Sequence, residues 1–204
     1  MNKNCIIRLE TEADYREAEN LTREAFWNVY RPGCLEHYVL HRFREREDFV
    51  RELDFVLEKE GAIIGHIMYA RAEIELDGGG ALPVMTFGPF SIAPEHKGLG
   101  LGTLLLEHSM KEAGRLGAGA LAITGDIGFY GRLGFVQGSE KGIRYFADPN
   151  APYFLVKELK EGFLEGKGGV YRDPEGYFAD EKEAAAFDKL FPPKEKLKLP
   201  GQLV

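Results

Sequence analysis

Apolar and polar positions along this chain alternate between strand-like and helix-like spacing. Cys5 to Leu9 is a short apolar run of strand type, and Glu12 to Phe26 reads as an acidic helix. Arg31-Pro32-Gly33 breaks the pattern, and a second helix of mixed charge follows from Leu35 to Glu45. Leu53 to Glu58 and Ala62 to Leu76 read as two strands joined by a hairpin turn at Lys59-Glu60-Gly61. Asp77-Gly-Gly-Gly80 is the next turn, and Val84 to Ile92 the next strand. That strand contains Gly88-Pro89. Proline cannot donate to a ladder, so the strand either lies at a sheet edge or carries a bulge there, and the apolar residues on both sides favour the bulge. Thr103 to Leu116 has helical periodicity and is closed by Gly117. Its stripe of Leu101, Leu105, Ala113 and Leu116, widened by Leu104, Leu106 and Met110, is assigned to the core. Ala120 to Thr124 and Tyr153 to Leu159 are further strands. Asp180-Glu-Lys-Glu183 looks like a capping box opening a helix to Phe191, stopped by Pro192-Pro193 and followed by an extended tail. Strands interleaved with helices predict an α/β domain.

The chemistry is concentrated between the strand ending at Ile92 and the helix beginning near Thr103. Phe90-Ser-Ile-Ala-Pro leads into Lys97-Gly98-Leu99-Gly100-Leu101-Gly102-Thr103, so a strand passes through a glycine loop into a helix. The first N–H groups of a helix lack internal partners, and the helix dipole adds positive potential, so this arrangement suits a phosphate. Glycine lets a pyrophosphate approach the backbone with no Cβ in the way. A dinucleotide fingerprint read from Gly98 meets Thr103 where its last glycine belongs, and Asp126 lies too far downstream for its acidic partner. A P-loop needs a lysine between its last glycine and the Ser/Thr, and none is present here. A strand-to-helix turn with no ligand is the remaining alternative.

The loop resembles the acetyl-CoA loop of the GNAT N-acetyltransferases, Gln/Arg-x-x-Gly-x-Gly/Ala, with Lys97 standing where that family usually has Gln or Arg. A second segment supports the resemblance. Gly125-Asp126-Ile-Gly-Phe-Tyr130-Gly-Arg132-Leu-Gly134-Phe135 is similar to the family's short helix that ends in Gly-Phe and carries a tyrosine facing the thioester. It resembles the form found in a subgroup of bacterial and archaeal predicted N-acetyltransferases. The two motifs occur in the family's order. The resemblance covers roughly residues 6–170, leaving 171–204 as an extension with a short helix that packs on the domain or on a second subunit of a homodimer. It implies a mixed, splayed β-sheet flanked by helices on both faces, with the first two helices walling the acceptor site. It also implies acetyl-CoA as co-substrate, held by Phe90, Ser91, Ile92, Lys97, Gly98, Leu99, Gly100, Leu101, Gly102 and Thr103, and direct attack by an amine in a ternary complex. An idle acyl-CoA sensor is the alternative.

Composition changes this picture little. The chain has 204 residues, enough for one substantial core. Its formal net charge of -7 disfavours general nucleic-acid binding and is compatible with a cationic amine acceptor, either a small molecule or a peptide. The absence of a long apolar run, a signal-like start and more than two cysteines predicts a cytoplasmic protein with no membrane span and no disulfide framework.

Amine acetylation needs a deprotonated amine, a donor for the oxyanion and a proton for the leaving thiolate. A backbone N–H of Phe90 or Ile92 suits the oxyanion. A tyrosine hydroxyl can protonate the thiolate, and Tyr130 is the candidate, its other reading being a core aromatic. Asp126 fits an N-cap better than a base. Arg132 fits a surface ion pair better than a contact to the 3′-phosphate of CoA. Lys97 is read equally as a solvated loop cation or a pyrophosphate partner, as a point charge without the fork of arginine. His66, mid-strand, fits a structural histidine better than a general base, and Glu24 is a poorer base candidate. His37, His41, His96 and His108 show no metal-ligand spacing, so no metal is expected.

Overall fold

The computed structural model describes residues 5–203. The chain divides into two compact units: one takes the chain up to Met68, Gly88–Leu106 and everything from Glu175 on, the other Tyr69–Phe87 and Glu107–Pro174. Among the described residues, nine strands hydrogen-bond in the order β1-β2-β3-β4-β5-β8-β6, with β9 paired to β3 and to β7. Their ranges are β1 Cys5–Leu9, β2 Phe55–Lys59, β3 Ala62–Leu76, β4 Ala81–Ile92, β5 Ala120–Thr124, β6 Val136–Gln137, β7 Ile143–Tyr145, β8 Phe154–Glu158 and β9 Gly169–Tyr171. The helices are α1 Tyr15–Phe26, α2 Glu36–Phe43, α3 Leu101–Arg115, α4 Ile127–Tyr130 and α5 Glu181–Asp188. Most pairings are antiparallel; β4 runs parallel to β5 at Met85 opposite Leu121, and β7 parallel to β9.

In the first unit, β1, β2 and the start of β3 form an antiparallel meander. Its tight turn is made at Glu60 and Gly61, both with positive φ (53° and 83°), the conformation that matches the twist of two paired strands. α1 and α2 cover it. Ala18, Leu21 and Ala25 from α1, and Val39, Leu40 and Phe43 from α2, are buried with Leu53, Val56, Leu57 and Ile67. The C-terminal segment belongs to this unit. Asp180 is the N-cap of α5, its carboxylate accepting from the Lys182 and Glu183 N–H groups, while the Glu183 carboxylate, expected to close a capping box, accepts from the Tyr38 hydroxyl at 2.7 Å. Its Phe187 ring packs 5.4 Å from His37 and 4.4 Å from His41, and Asp188 bonds Arg23 at 2.6 Å. The tail continues across the α1–α2 connection: Trp27 Nε1 donates to the Glu195 carbonyl at 2.8 Å, and Leu203 N–H donates to the Tyr30 carbonyl at 2.8 Å.

The second unit is built on its own core, in which Ile74, Val84, Ala122, Ile143, Phe154, Val156 and Tyr171 come together. Tyr145, Phe154 and Tyr171 stack on one another, with centroids 5.5, 5.2 and 6.4 Å apart.

Several boundaries differ from the sequence reading, each for a local reason. α3 starts at Leu101, because Gly102 adopts helical backbone and Leu101 already anchors the first turn at 3% exposure. Leu104 and Leu116, assigned above to the core stripe, are exposed, so the buried face is the narrower set Leu101, Leu105, Leu106, Met110 and Ala113. α5 stops at Asp188 and Phe191 is buried beyond it, in a turn. In the strand order β4 lies between β3 and β5, paired with β5 at Met85 opposite Leu121, three residues before Gly88. The strand runs through that pair with a cis peptide and with Gly88 at φ +138°.

Candidate active site

β4 ends at Ile92 and the chain turns at once. The Ala93 N–H donates to the Ile64 carbonyl at 2.9 Å, and residues Pro94–His96 form a single 3-10 turn. Gly98 and Gly100 follow with φ of +78° and +76°, a region that residues with a Cβ adopt at a cost. Nothing lies within 4 Å of the Cβ position at either one, so the backbone there is open to an approaching group. Gly102 has ordinary helical backbone and a different reason to be glycine: a Cβ would sit 3.3 Å from the Phe90 ring. Leu101 is buried while Leu99 is 59% exposed, so the loop is anchored by its helix end. Thr103 is half-buried in the first turn of α3. This turn presents N–H groups that no earlier carbonyl of the helix accepts.

The remaining residues of this set have defined places. Ser91 is buried and its hydroxyl bonds Thr22 at 3.1 Å, which ties β4 to α1 and leaves only its backbone to a ligand. Lys97 donates to the Ala25 carbonyl at 3.2 Å, in the last turn of α1, where a cation complements the helix dipole. Phe90 through Thr103 therefore lie together in one unit.

Tyr130 belongs to the other unit, at the end of α4. Asp126 caps α4 by accepting from the Gly128 N–H at 2.9 Å. The Tyr130 ring lies against Gly125, where a Cβ would be 2.4 Å from Cε2, and packs 5.9 Å from Phe87 and 5.5 Å from Phe135. Gly134 takes left-handed backbone (φ +83°) to end the turn, and Lys157 caps it by donating to the Leu133 carbonyl at 2.6 Å. The Gly-Phe ending thus fixes the tyrosine from both sides: Gly134 turns the chain and Phe135 supplies the packing face. Arg132 is exposed, with its guanidinium 5.8 Å from the Phe129 ring.

Two buried polar clusters in the first unit escaped the sequence reading. In one, Arg44 holds both oxygens of Glu10, at 2.8 and 3.0 Å, and Glu19 at 2.7 Å, while His66 Nε2 lies 2.8 Å from Asp54. Burial holds His66 down to about 4 and lifts Glu10 to about 7; it also raises Asp54. His66 is fully buried, with Nε2 held by Asp54. Glu10, Asp54 and His66 place potential ligand atoms within 4.8 Å of one another, and both Glu10 oxygens are already bonded by the Arg44 guanidinium. In the other cluster, Cys34 Sγ lies 3.2 Å from His37 Nδ1, and His37 Nε2 lies 3.3 Å from Asp188. Burial pushes the thiol up to about 12 and the imidazole down to about 4. A nucleophilic cysteine must be a thiolate, so this line of Cys, His and Asp is packing. The spacing Cys34-x-x-His37 was visible in the sequence, but its partner Asp188 came from the far end of the chain.

A large, mostly antiparallel open sheet flanked by helices, with a glycine loop opening one helix after the fourth strand, gives a mixed α/β fold. The chain belongs to the acetyltransferase (GNAT) family, whose model matches residues 11–135, more than half of its length. An uncharacterised N-acetyltransferase of Escherichia coli, YjhQ, is 29% identical over 112 residues, which cover 53% of this chain and 56% of that relative. Among solved structures, the GNAT family N-acetyltransferase YhbS of Escherichia coli, in complex with CoA, superimposes with a TM-score of 0.76 at 22% identity, covering 86% of this chain and 93% of that one. A GNAT family acetyltransferase of Brucella melitensis, in complex with acetyl-CoA, gives 0.66 at 23% identity, covering 85% and 97%. No helix among the described residues is long and apolar enough to cross a membrane.

Proposed function

We propose that this protein is a cytoplasmic N-acetyltransferase that moves the acetyl group of acetyl-CoA to an amine, carried by a small molecule or a peptide, by direct attack in a ternary complex. The observation that carries the reading is the loop itself: two left-handed glycines in open space, followed by the N-terminus of α3. The pyrophosphate of CoA would take the N–H groups of residues 98–103, with the Lys97 charge near it. The thioester would lie along Phe90–Ile92, where a backbone N–H of Phe90 or Ile92 faces the oxyanion as the tetrahedral intermediate forms. When that intermediate collapses, the bond from carbon to sulfur breaks and the CoA thiolate leaves. Tyr130 would give it a proton and later recover one from water. The Lys97 contact to α1 fits the same picture, since it fixes the loop in place.

A catalytically idle acyl-CoA sensor is the second reading. It is favoured by the packing of the Tyr130 ring among Phe87, Phe129 and Phe135, which a purely structural aromatic would also show. The deciding experiment combines thermal shift with turnover. Acetyl-CoA should raise the melting temperature by mass action, and a nicotinamide dinucleotide should not. A panel of amines should then release free thiol from acetyl-CoA. Stabilisation by the dinucleotide alone would overturn the acetyltransferase reading, and binding without thiol release from any amine would favour the sensor.

A further inference from the structure

Residues 175–177 lie outside the stretch matched by the family model, yet they touch β4 just before the segment proposed to hold the thioester. The Tyr177 hydroxyl donates to the Gly88 carbonyl at 3.0 Å. Its ring covers the same residue: a Cβ on Gly88 would be 3.9 Å from both Tyr177 Cε1 and its hydroxyl oxygen. The ring is itself held in place. It packs 4.7 Å from Phe43 at the end of α2, and Gly176 is so close to Phe43 that a Cβ would come within 2.5 Å of it.

β4 lies between β3 and β5 in the strand order and pairs with β5 at Met85, so Gly88 and Pro89 lie beyond that pairing; Pro89 has no N–H to donate and Gly88 sits at φ +138°. The Gly88 carbonyl is taken by a side chain from the far end of the chain. The bond is not needed to dock the C-terminal segment. That segment is already fixed by Asp188 on Arg23, by Phe187 against His37 and by the Glu195 carbonyl on Trp27. Its effect falls on the backbone two residues before Phe90.

We propose that Tyr177 is a positioning residue for acetyl transfer: its hydroxyl holds the Gly88 carbonyl and thereby aims the N–H groups of Phe90 and Ile92 at the thioester oxygen. This rests on the acetyl-transfer reading above. Small displacements of an oxyanion donor cost rate far more than they cost binding, because the donor is matched to the charge that develops in the transition state.

The test compares full-length protein with Tyr177→Phe, which removes one oxygen and keeps the ring. Four quantities are read: melting temperature, kcat, KM for acetyl-CoA, and amide hydrogen exchange of the peptide covering Phe90 to Ile92. The expected result is a kcat lower by about tenfold or more, faster exchange at those amides, a KM changed by less than about threefold, and a melting temperature within about 4 °C of the parent. A parent-like kcat overturns the proposal, whatever the melting temperature does. If the parent itself shows no turnover and no stabilisation by acetyl-CoA, the acetyl-transfer reading has failed independently. The exchange measurement then decides alone, and unchanged exchange overturns the positioning role.

Discussion

Gly98, Gly100 and Gly102 look equivalent in the sequence but serve two physical ends. The first two supply left-handed backbone, and the third leaves room for the Phe90 ring. Gly100→Val should therefore abolish stabilisation by acetyl-CoA while costing the unliganded protein only the strain of one residue, about 1–3 kcal/mol; thermal scans with and without acetyl-CoA measure both. A variant that still shifts with acetyl-CoA would show that the loop does not cradle the phosphates. Tyr130 has the same two-sidedness. If its hydroxyl protonates the thiolate, Tyr130→Phe should lower kcat by roughly 10²-fold or more with a smaller change in KM for acetyl-CoA, since the ring still packs on Gly125 and Phe135. Equal kcat in both proteins would return Tyr130 to the role of a core aromatic. The glycine loop and the Tyr130 motif were legible because each is a local pattern. Tyr177 was not, because an isolated tyrosine carries no signal until the fold brings it to Gly88.

At the level of elements, α1, α2 and the β1–β3 meander are joined by charge as well as by apolar packing. The sequence pattern places Arg44 in a helix of mixed charge. It is buried between Glu10, which follows β1, and Glu19 on α1. A buried pair of this kind adds little net stability when intact, yet removing one partner is costly, about 3–5 kcal/mol, because the other charge is stranded. Beside it, His66 is held down to about 4, below its ordinary value, by burial. The folded state therefore binds a proton less readily than the unfolded chain, and the stability His66 gives is present above about 6.5 and lost as pH falls toward 4. The gap in melting temperature between the parent and His66→Asn should accordingly narrow over that range. A gap that stays constant would mean that His66 titrates as it does in the unfolded chain. Sequence periodicity located α1, β2 and β3 within a few residues, and the Glu60-Gly61 turn was legible from its residues. It missed β6, β7 and β9, strands of two or three residues whose pairing is set by distant partners and which are too short to show a period.

At the scale of the chain, the matched residues 11–135 contribute to both compact units, whereas the segment from Glu175 on joins only the first. That segment buries Ala184, Phe187 and Phe191 and carries the acidic partner of Arg23, so it is part of the unit's core. Ending the chain after Ala179 would keep Tyr177 but uncover His37, Trp27 and the Arg23 guanidinium. The melting temperature should fall, and a truncated protein that melts with the parent would show the segment to be dispensable. The apolar residues of this segment were visible in the sequence, and they required a packing partner. Which surface they would cover was not visible, since the contacts join residues more than a hundred positions apart.

Trp27 is the only tryptophan of the chain, and it lies under the tail at 9% exposure. Its indole N–H is bonded to the Glu195 carbonyl, and Arg23, Lys194 and Lys196 place their charges 4.2, 5.6 and 5.9 Å from its ring. Ultraviolet emission excited through indole therefore comes from one place, and that place is covered by the last residues of the chain. Release of the tail would expose the ring to water and move the emission maximum to longer wavelength. The truncated chain should show this red shift already at rest. In the intact protein, a titration with acyl-CoA or amine would report undocking of the tail, without a label, only where the red shift matches that of the truncated chain, because Lys97 of the glycine loop bonds the Ala25 carbonyl two residues before Trp27.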